Sequence, residues 1–151
     1  MTARIEQITQ TYKEMLESAG FVVYRLKGKA TPKNVIEANS VVIKLQQSDL
    51  DILGDESQTD KNYYWDLNIK IVIQIMKNEY LDQLANNYFL TIYNLFMASE
   101  TTRKLSLSYV LDTYCDGMDE PIDYQDAAQP LGEAIVLFRT RFKSPVNSMS
   151  A

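Results

Sequence analysis

The sequence predicts an α+β domain, about five strands in one mostly antiparallel sheet with two helices packed on one face. Three observations carry this expectation. Residues 62–78, NYYWDLNIKIVIQIMKN, alternate with a period of two, so that Trp65, Leu67, Ile69, Ile71, Ile73 and Ile75 share one side of a strand. Two other segments, near 5–19 and 79–99, repeat apolar residues every three or four positions, the period of a helix buried on one side. Short alternating runs on either side of these segments complete the order α, β, β, β, α, β, β.

The first element follows from Ile5, Ile8, Tyr12, Met15, Leu16 and Ala19, a stripe about four turns long, with Gly20 where a left-handed helix cap is favoured. FVVYRL, 21–26, reads as a short strand, and KGKATPK as turn and loop. SVVIKLQ, 40–46, reads as a second strand, and the acidic stretch that follows, to about Asp60, as a long loop. After the long strand, Leu81, Leu84, Ala85, Tyr88, Phe89, Ile92, Leu95 and Phe96 make the wide apolar face of a helix of about five turns. LSLSYVLDTY, 105–114, reads as a strand, the next acidic segment as a loop, and EAIVLFRTRF, 133–142, as the closing strand. There Ala134, Val136, Phe138, Thr140 and Phe142 oppose Ile135, Leu137, Arg139 and Arg141. The reading is one domain, 1–143, followed by a flexible carboxyl tail, 144–151, whose composition is poor in packing residues. At 151 residues the chain is long enough for one sizeable core.

The long strand also raises a question. Its second side, Asp66, Asn68, Lys70, Val72, Gln74 and Met76, begins polar and ends half apolar. With Ile135 and Leu137 beside it, that face is more apolar than full solvation favours, so it is expected to meet something.

Composition narrows the function classes. With 46% hydrophobic and 23% charged residues the chain has the make-up of a soluble globular protein. It has no apolar run of about 18 residues and no basic-then-apolar start, so it is expected to stay in the cytoplasm where it is made, away from membranes. The single cysteine, Cys115, has no partner for an internal disulfide, and its neighbours Asp112 and Asp116 disfavour a reactive thiolate. Histidine is absent, which removes the commonest general base and metal ligand. No phosphate-binding glycine loop, CxxC pair or paired carboxylates in an apolar cleft can be read either. The expectation is a protein that is not an enzyme and carries no cofactor.

The net charge of −5 is unevenly spread. Residues 46–60 hold five acids and no base, and 112–126 hold six acids and no base, which leaves nine acids against 15 bases elsewhere. Generic nucleic-acid binding would want a large basic stripe without neighbouring acid blocks, so DNA is not expected as a bound partner. Asp49, Asp51, Gly54 and Asp60 imitate part of a calcium loop, but Leu53 stands at a ligand position and a strand leads in, so an exposed acidic loop is the better reading. Arg25, Lys27, Lys29 and Lys33 cluster at the end of the first strand, either as a solvated turn or as a patch facing an acidic loop of a neighbouring subunit. The candidate subunit-interface residues are therefore Arg25, Lys27, Lys29, Lys33, Asp49, Asp51, Asp55, Glu56, Arg139 and Arg141. If assembly gathers acidic loops around an axis, low salt opposes it, and magnesium or higher salt aids it.

In order and texture the chain resembles the tail terminator family of long-tailed bacteriophages, the lambda-type minor tail proteins, over about residues 5–143. The resemblance rests on the opening helix, on WDLNIKIVIQIMKN, YLDQLANNYFLTIYNLFMAS and YVLDTYCDGMDEP, and on the closing GEAIVLFRTRFKSP with its FRTRF ending at 138–142. It implies a structural protein that forms a homohexameric ring on the tail tube, ends tube polymerisation and joins the head. The implied partners are further copies of itself, the tail tube protein and a head-completion or connector protein. DNA would pass through the ring without specific binding, and the protein would end in the virion tail after assembly in the host cytoplasm. The alternative is another head-tail connector or tail completion adaptor, or a binding module of similar fold outside phages.

Overall fold

The computed structural model describes residues 3–25, 41–53, 62–76, 80–124, 131–145 and 148–150. Their order is α1 (Arg4–Ser18), β1 (Val22–Arg25), β2 (Val41–Ile52), β3 (Asn62–Met76), α2 (Leu81–Met97), α3 (Glu100–Arg103), β4 (Val110–Met118), β5 (Ile122–Tyr124) and β6 (Leu131–Pro145). The strands form one sheet in the order β1-β2-β3-β6-β4, with β5 also paired to β6. Only β1 and β2 run parallel, so the fold is α+β with a mostly antiparallel sheet.

The two long strands β3 and β6 are the spine, paired without interruption from Asn62↔Pro145 to Met76↔Leu131. Their inward residues, Leu67, Ile69, Ile71, Ile73 and Ile75 on β3 and Ala134, Val136, Phe138 and Phe142 on β6, are the floor of the core. Ile8, Tyr12 and Leu16 of α1 and Ala85, Ile92 and Phe96 of α2 close it from above. Each fully buried aliphatic or aromatic side chain contributes about 1.5–3 kcal/mol relative to exposure, so this alternation is what holds the sheet in register. Tyr12, Phe96 and Phe138 meet at its centre, with ring centroids 4.7, 5.2 and 6.4 Å apart.

Helix α1 ends as its glycine predicts. Gly20 has φ +96°, its N–H donates to the Glu17 carbonyl, and the Phe21 N–H donates to the Leu16 carbonyl, the pairing of a Schellman cap. Helix α2 starts hard against β6. A Cβ at Gly132 would lie 2.2 Å from Leu81 Cδ1, so the absence of a side chain there permits the close approach.

Several sequence expectations change. The second strand does not stop near 46 but runs to Ile52, where Leu50 and Ile52 alternate with Asp49 and Asp51, and the pairing slips once between Gln47 and Leu50. The second acidic segment is not a loop at its start, because β4 continues to Met118 and β5 follows. Leu105 and Ser106, expected to open a strand, take left-handed backbone at φ 55° and 53° as the chain turns out of α3. The closing strand spans 15 residues, beyond the 133–142 expected.

The carboxyl end, expected to lack packing from 144 onward, is docked. Met149 packs against the core, Ala3 and Ser150 form an isolated bridge, and the Arg4 N–H donates to the Met149 carbonyl at 3.0 Å. Arg4 also donates to the Ser150 carbonyl at 2.8 Å and to the Lys143 carbonyl, with its guanidinium 4.5 Å above the Tyr109 ring.

Candidate interaction face

Both long helices lie on one side of the sheet, so the chemistry worth attention is on the other. Along β3 this face carries Asp66, Asn68, Lys70, Val72, Gln74 and Met76, beside Arg141, Arg139, Leu137, Ile135, Glu133 and Leu131 of β6. The question of what the half-apolar side meets has two answers, one at each end. Val72 and Met76, with Val42 of β2, are buried apart from the main core, and Gln74 is buried among them. The Gln74 amide donates to Glu133 at 3.4 Å, while its carbonyl oxygen has no hydrogen-bond partner among the described residues.

The other end is a lattice of charge. Asp66, 5% exposed, accepts two hydrogen bonds from Arg141, 2.9 Å from Nε and 3.1 Å from Nη2, and a third at 3.0 Å from Arg139 Nη1. The Arg139 Nε reaches Asp116 at 3.3 Å, and Arg103 reaches Asp112 at 3.2 Å. The Tyr114 ring lies beneath both guanidiniums, 4.4 Å from that of Arg139 and 5.3 Å from that of Arg141. Register explains the convergence, since Asp66, Arg141 and Asp112 are consecutive partners across three strands, as are Asn68, Arg139 and Tyr114. Burial alone would push the Asp66 carboxyl up, but the hydrogen bonds and charges of Arg141 and Arg139 outweigh it and hold the group below the usual carboxylate range. A bidentate guanidinium with a second one beside it is a strong, geometrically fixed arrangement, so these side chains are pre-set rather than mobile.

The candidates named from sequence divide four ways. Arg139 and Arg141 are brought together on this lattice. Arg25 pairs with Glu6 of α1. Asp49 and Asp51 are exposed on β2, not in a loop, and Asp51 accepts from Asn68 at 3.0 Å. Lys27, Lys29, Lys33, Asp55 and Glu56 lie outside the described residues, as do Gly54 and Asp60 of the calcium-like stretch. Sequence reading missed Asp66, Asp116 and Tyr114, although the alternation that placed Trp65 inward also placed Asp66 outward beside the arginines.

A second polar group lies inside the core. Tyr12 Oη and Thr140 Oγ1 are 2.6 Å apart, and Thr140 is 3.0 Å from Thr113. Burial pushes the Tyr12 phenol well above its usual range, so it stays neutral and serves as a structural hydrogen-bonding group. Cys115 packs against the core, and burial, with Asp116 adding to it, raises its thiol. Trp65 donates from Nε1 to Ser144 at 2.9 Å and stacks edge-on with Tyr63.

Among the described residues no three carboxylate or thiol groups converge as metal ligands, and no helix is long and apolar enough to cross a membrane. No protein-family model and no curated protein matches the chain. Chemically, the lattice is a rigid mosaic of both signs whose arginines are already occupied by carboxylates. Such a surface suits recognition by charge pattern more than capture of a small anion.

Proposed function

We propose that this protein is a bacteriophage tail terminator, a structural protein whose copies close into a hexameric ring on the end of the tail tube. The ring stops tube growth and offers the surface to which the head binds. The observation that carries the reading is the sheet face opposite the helices, where Asp66, Arg139, Arg141, Asp116 and Tyr114 form a fixed, two-signed mosaic that fits docking against another protein. The resemblance of residues 5–143 to the tail terminator family supports the same reading.

In this reading the open face and the strand ends meet neighbouring subunits or border the channel. Unpaired acids along that border, Asp49 and Asp51 among them, would repel the phosphates of passing DNA and keep it from adhering. Neither a cofactor nor a reaction is needed.

Light scattering after size exclusion, at several protein concentrations and with or without magnesium, tests the reading. A species of about six subunits in exchange with monomer is expected. If the protein stays monomeric alone, the same measurement with added tail tubes must show rings on tube ends. A monomer that leaves tube growth unchanged would overturn the proposal in favour of a head-tail adaptor.

A further inference from the structure

The outer side of α2 carries no charge. From Gln83 to Ser99 the sequence has neither an acid nor a base, although 23% of the chain is charged. Gln83, Asn87, Leu90, Tyr93 and Asn94 are nonetheless exposed, and their steps of three and four residues gather them into one stripe. Leu90 is 57% exposed and Tyr93 39%. Tyr80, at the head of the stripe, is 70% exposed and held at φ 40°, a left-handed conformation that bulky side chains rarely adopt. Helix α1, on the same side of the sheet, shows the ordinary pattern, with Glu6, Glu14 and Glu17 exposed and Lys13 paired to Glu17. An exposed stripe of tyrosine, leucine and amides without charge has instead the make-up of the centre of a protein contact.

The charge of the chain says which surface fits it. Each copy carries −5, so copies that meet through their acidic segments set like charge against like. The α2 stripe brings no charge to the contact, and it matches itself. Each Asn and Gln amide both donates and accepts, so a row of amides is complementary to a second such row. Turned about a two-fold axis beside Asn87 and Leu90, the helix runs antiparallel to its copy, the direction that opposed macrodipoles favour. Gln83 then faces Asn94 of the second copy, the two Leu90 side chains meet near the axis, and Tyr80 lies over Met97 and Ala98. A charged partner surface would lose its water against this stripe and gain no opposite charge.

We propose that two copies of this protein pair through the stripe, α2 against α2 about a two-fold axis. From Tyr80 to Asn94 the stripe is about 21 Å long, on a helix about 10 Å across. That is well below the ~800 Å² per partner of a standard interface, so the pair is reversible and depends on concentration. A two-fold contact is satisfied by two copies and does not propagate. The pair is therefore independent of the ring reading. Because the helices and the charge lattice lie on opposite sides of the sheet, it also leaves both lattices turned outward.

Sedimentation equilibrium at protein concentrations up to about 1 mM tests the contact. A monomer–dimer equilibrium is expected, and salt should not weaken it, since no opposite charges meet in it. Leu90→Lys sets two ammonium groups together at the axis and should weaken pairing by at least about tenfold, whereas Leu90→Met should preserve it. Leu90 is exposed and all three residues are good helix formers, so both variants should unfold at the wild-type temperature, which separates loss of the contact from loss of the fold. A wild-type protein that is monomeric throughout, or a dimer indifferent to Leu90→Lys, would overturn the contact. So would a monomer whose binding to tail tubes is lost in Leu90→Lys, which would give the stripe to another protein. A six-subunit species that survives Leu90→Lys while the dimer is lost supports both readings; one lost together with the dimer would place α2 inside the ring and sink the two-fold pair.

Discussion

Asp66 and Thr140 show how single polar residues hold this fold, one at the surface and one beneath it. Asp66 collects three hydrogen bonds from two arginines that are themselves about 30% exposed, so part of the arginine charge is already solvated. Asp66→Asn should therefore cost about 1–2 kcal/mol at neutral pH rather than the larger penalty of a fully buried pair. The folded carboxyl has a pKa below its unfolded value of about 3.9, so its contribution is complete above that pH and fades as pH falls through the folded value. Urea unfolding of wild type and Asp66→Asn should differ at pH 7 and converge in acid below the folded value. A gap that persists there would mean the carboxylate acts through something other than its charge. Thr140 supports two neighbours, so its removal should hurt more than that of the phenol it bonds. Thr140→Val takes one hydrogen bond from each of Tyr12 and Thr113 and should cost about 1–3 kcal/mol, whereas Tyr12→Phe leaves the threonine pair intact and should cost about 1 kcal/mol. Equal losses in denaturant titration would argue against a shared hydroxyl.

At the scale of the element, composition misleads where alternation does not. Residues 47–52 and 115–118 read as the start of acidic loops, yet both are strands. In β4 the outward positions Asp112, Tyr114 and Asp116 face arginines while Thr113 turns inward to Thr140, so the acids are part of the pairing pattern. Helix α1 offers the opposite case, where a single glycine correctly marked the end. Nothing lies within 4 Å of a Cβ built on Gly20, so Gly20→Ala tests backbone conformation alone. It should lower stability by about 1 kcal/mol, read as a few degrees in thermal unfolding. No change would mean that the helix end relaxes to a different cap.

For the whole molecule, Ala3 and Arg4 are joined to Met149 and Ser150 across the fold. Arg4 links the start of α1 to the carbonyls of Lys143 and Ser150 and covers Tyr109, which in turn donates to Gln7. Arg4→Ala should cost about 1–2 kcal/mol and open the last residues to carboxypeptidase. Unaltered digestion would show that Met149 and the Ala3–Ser150 bridge hold the end without it. The arrangement leaves one face of the sheet for partners, with its apolar end already buried at Val42, Val72 and Met76 and its polar end fixed by ion pairs.

By itself the sequence determined the α+β class, the inward faces of β3 and β6, the apolar stripes of α1 and α2 and the glycine that ends α1. These follow from period and local conformation, which act over a few residues and are written directly in the chain. Only the tertiary structure decided that the strands β2 and β4 run on into the acidic segments, that Arg25 pairs with Glu6 and that Asp66 joins Arg139 and Arg141. It also decided that Ser150 returns to Ala3, 147 positions away. Such pairings depend on strand order and register across the sheet, and a charged side chain far along the chain carries no local sign of the partner that will neutralise it.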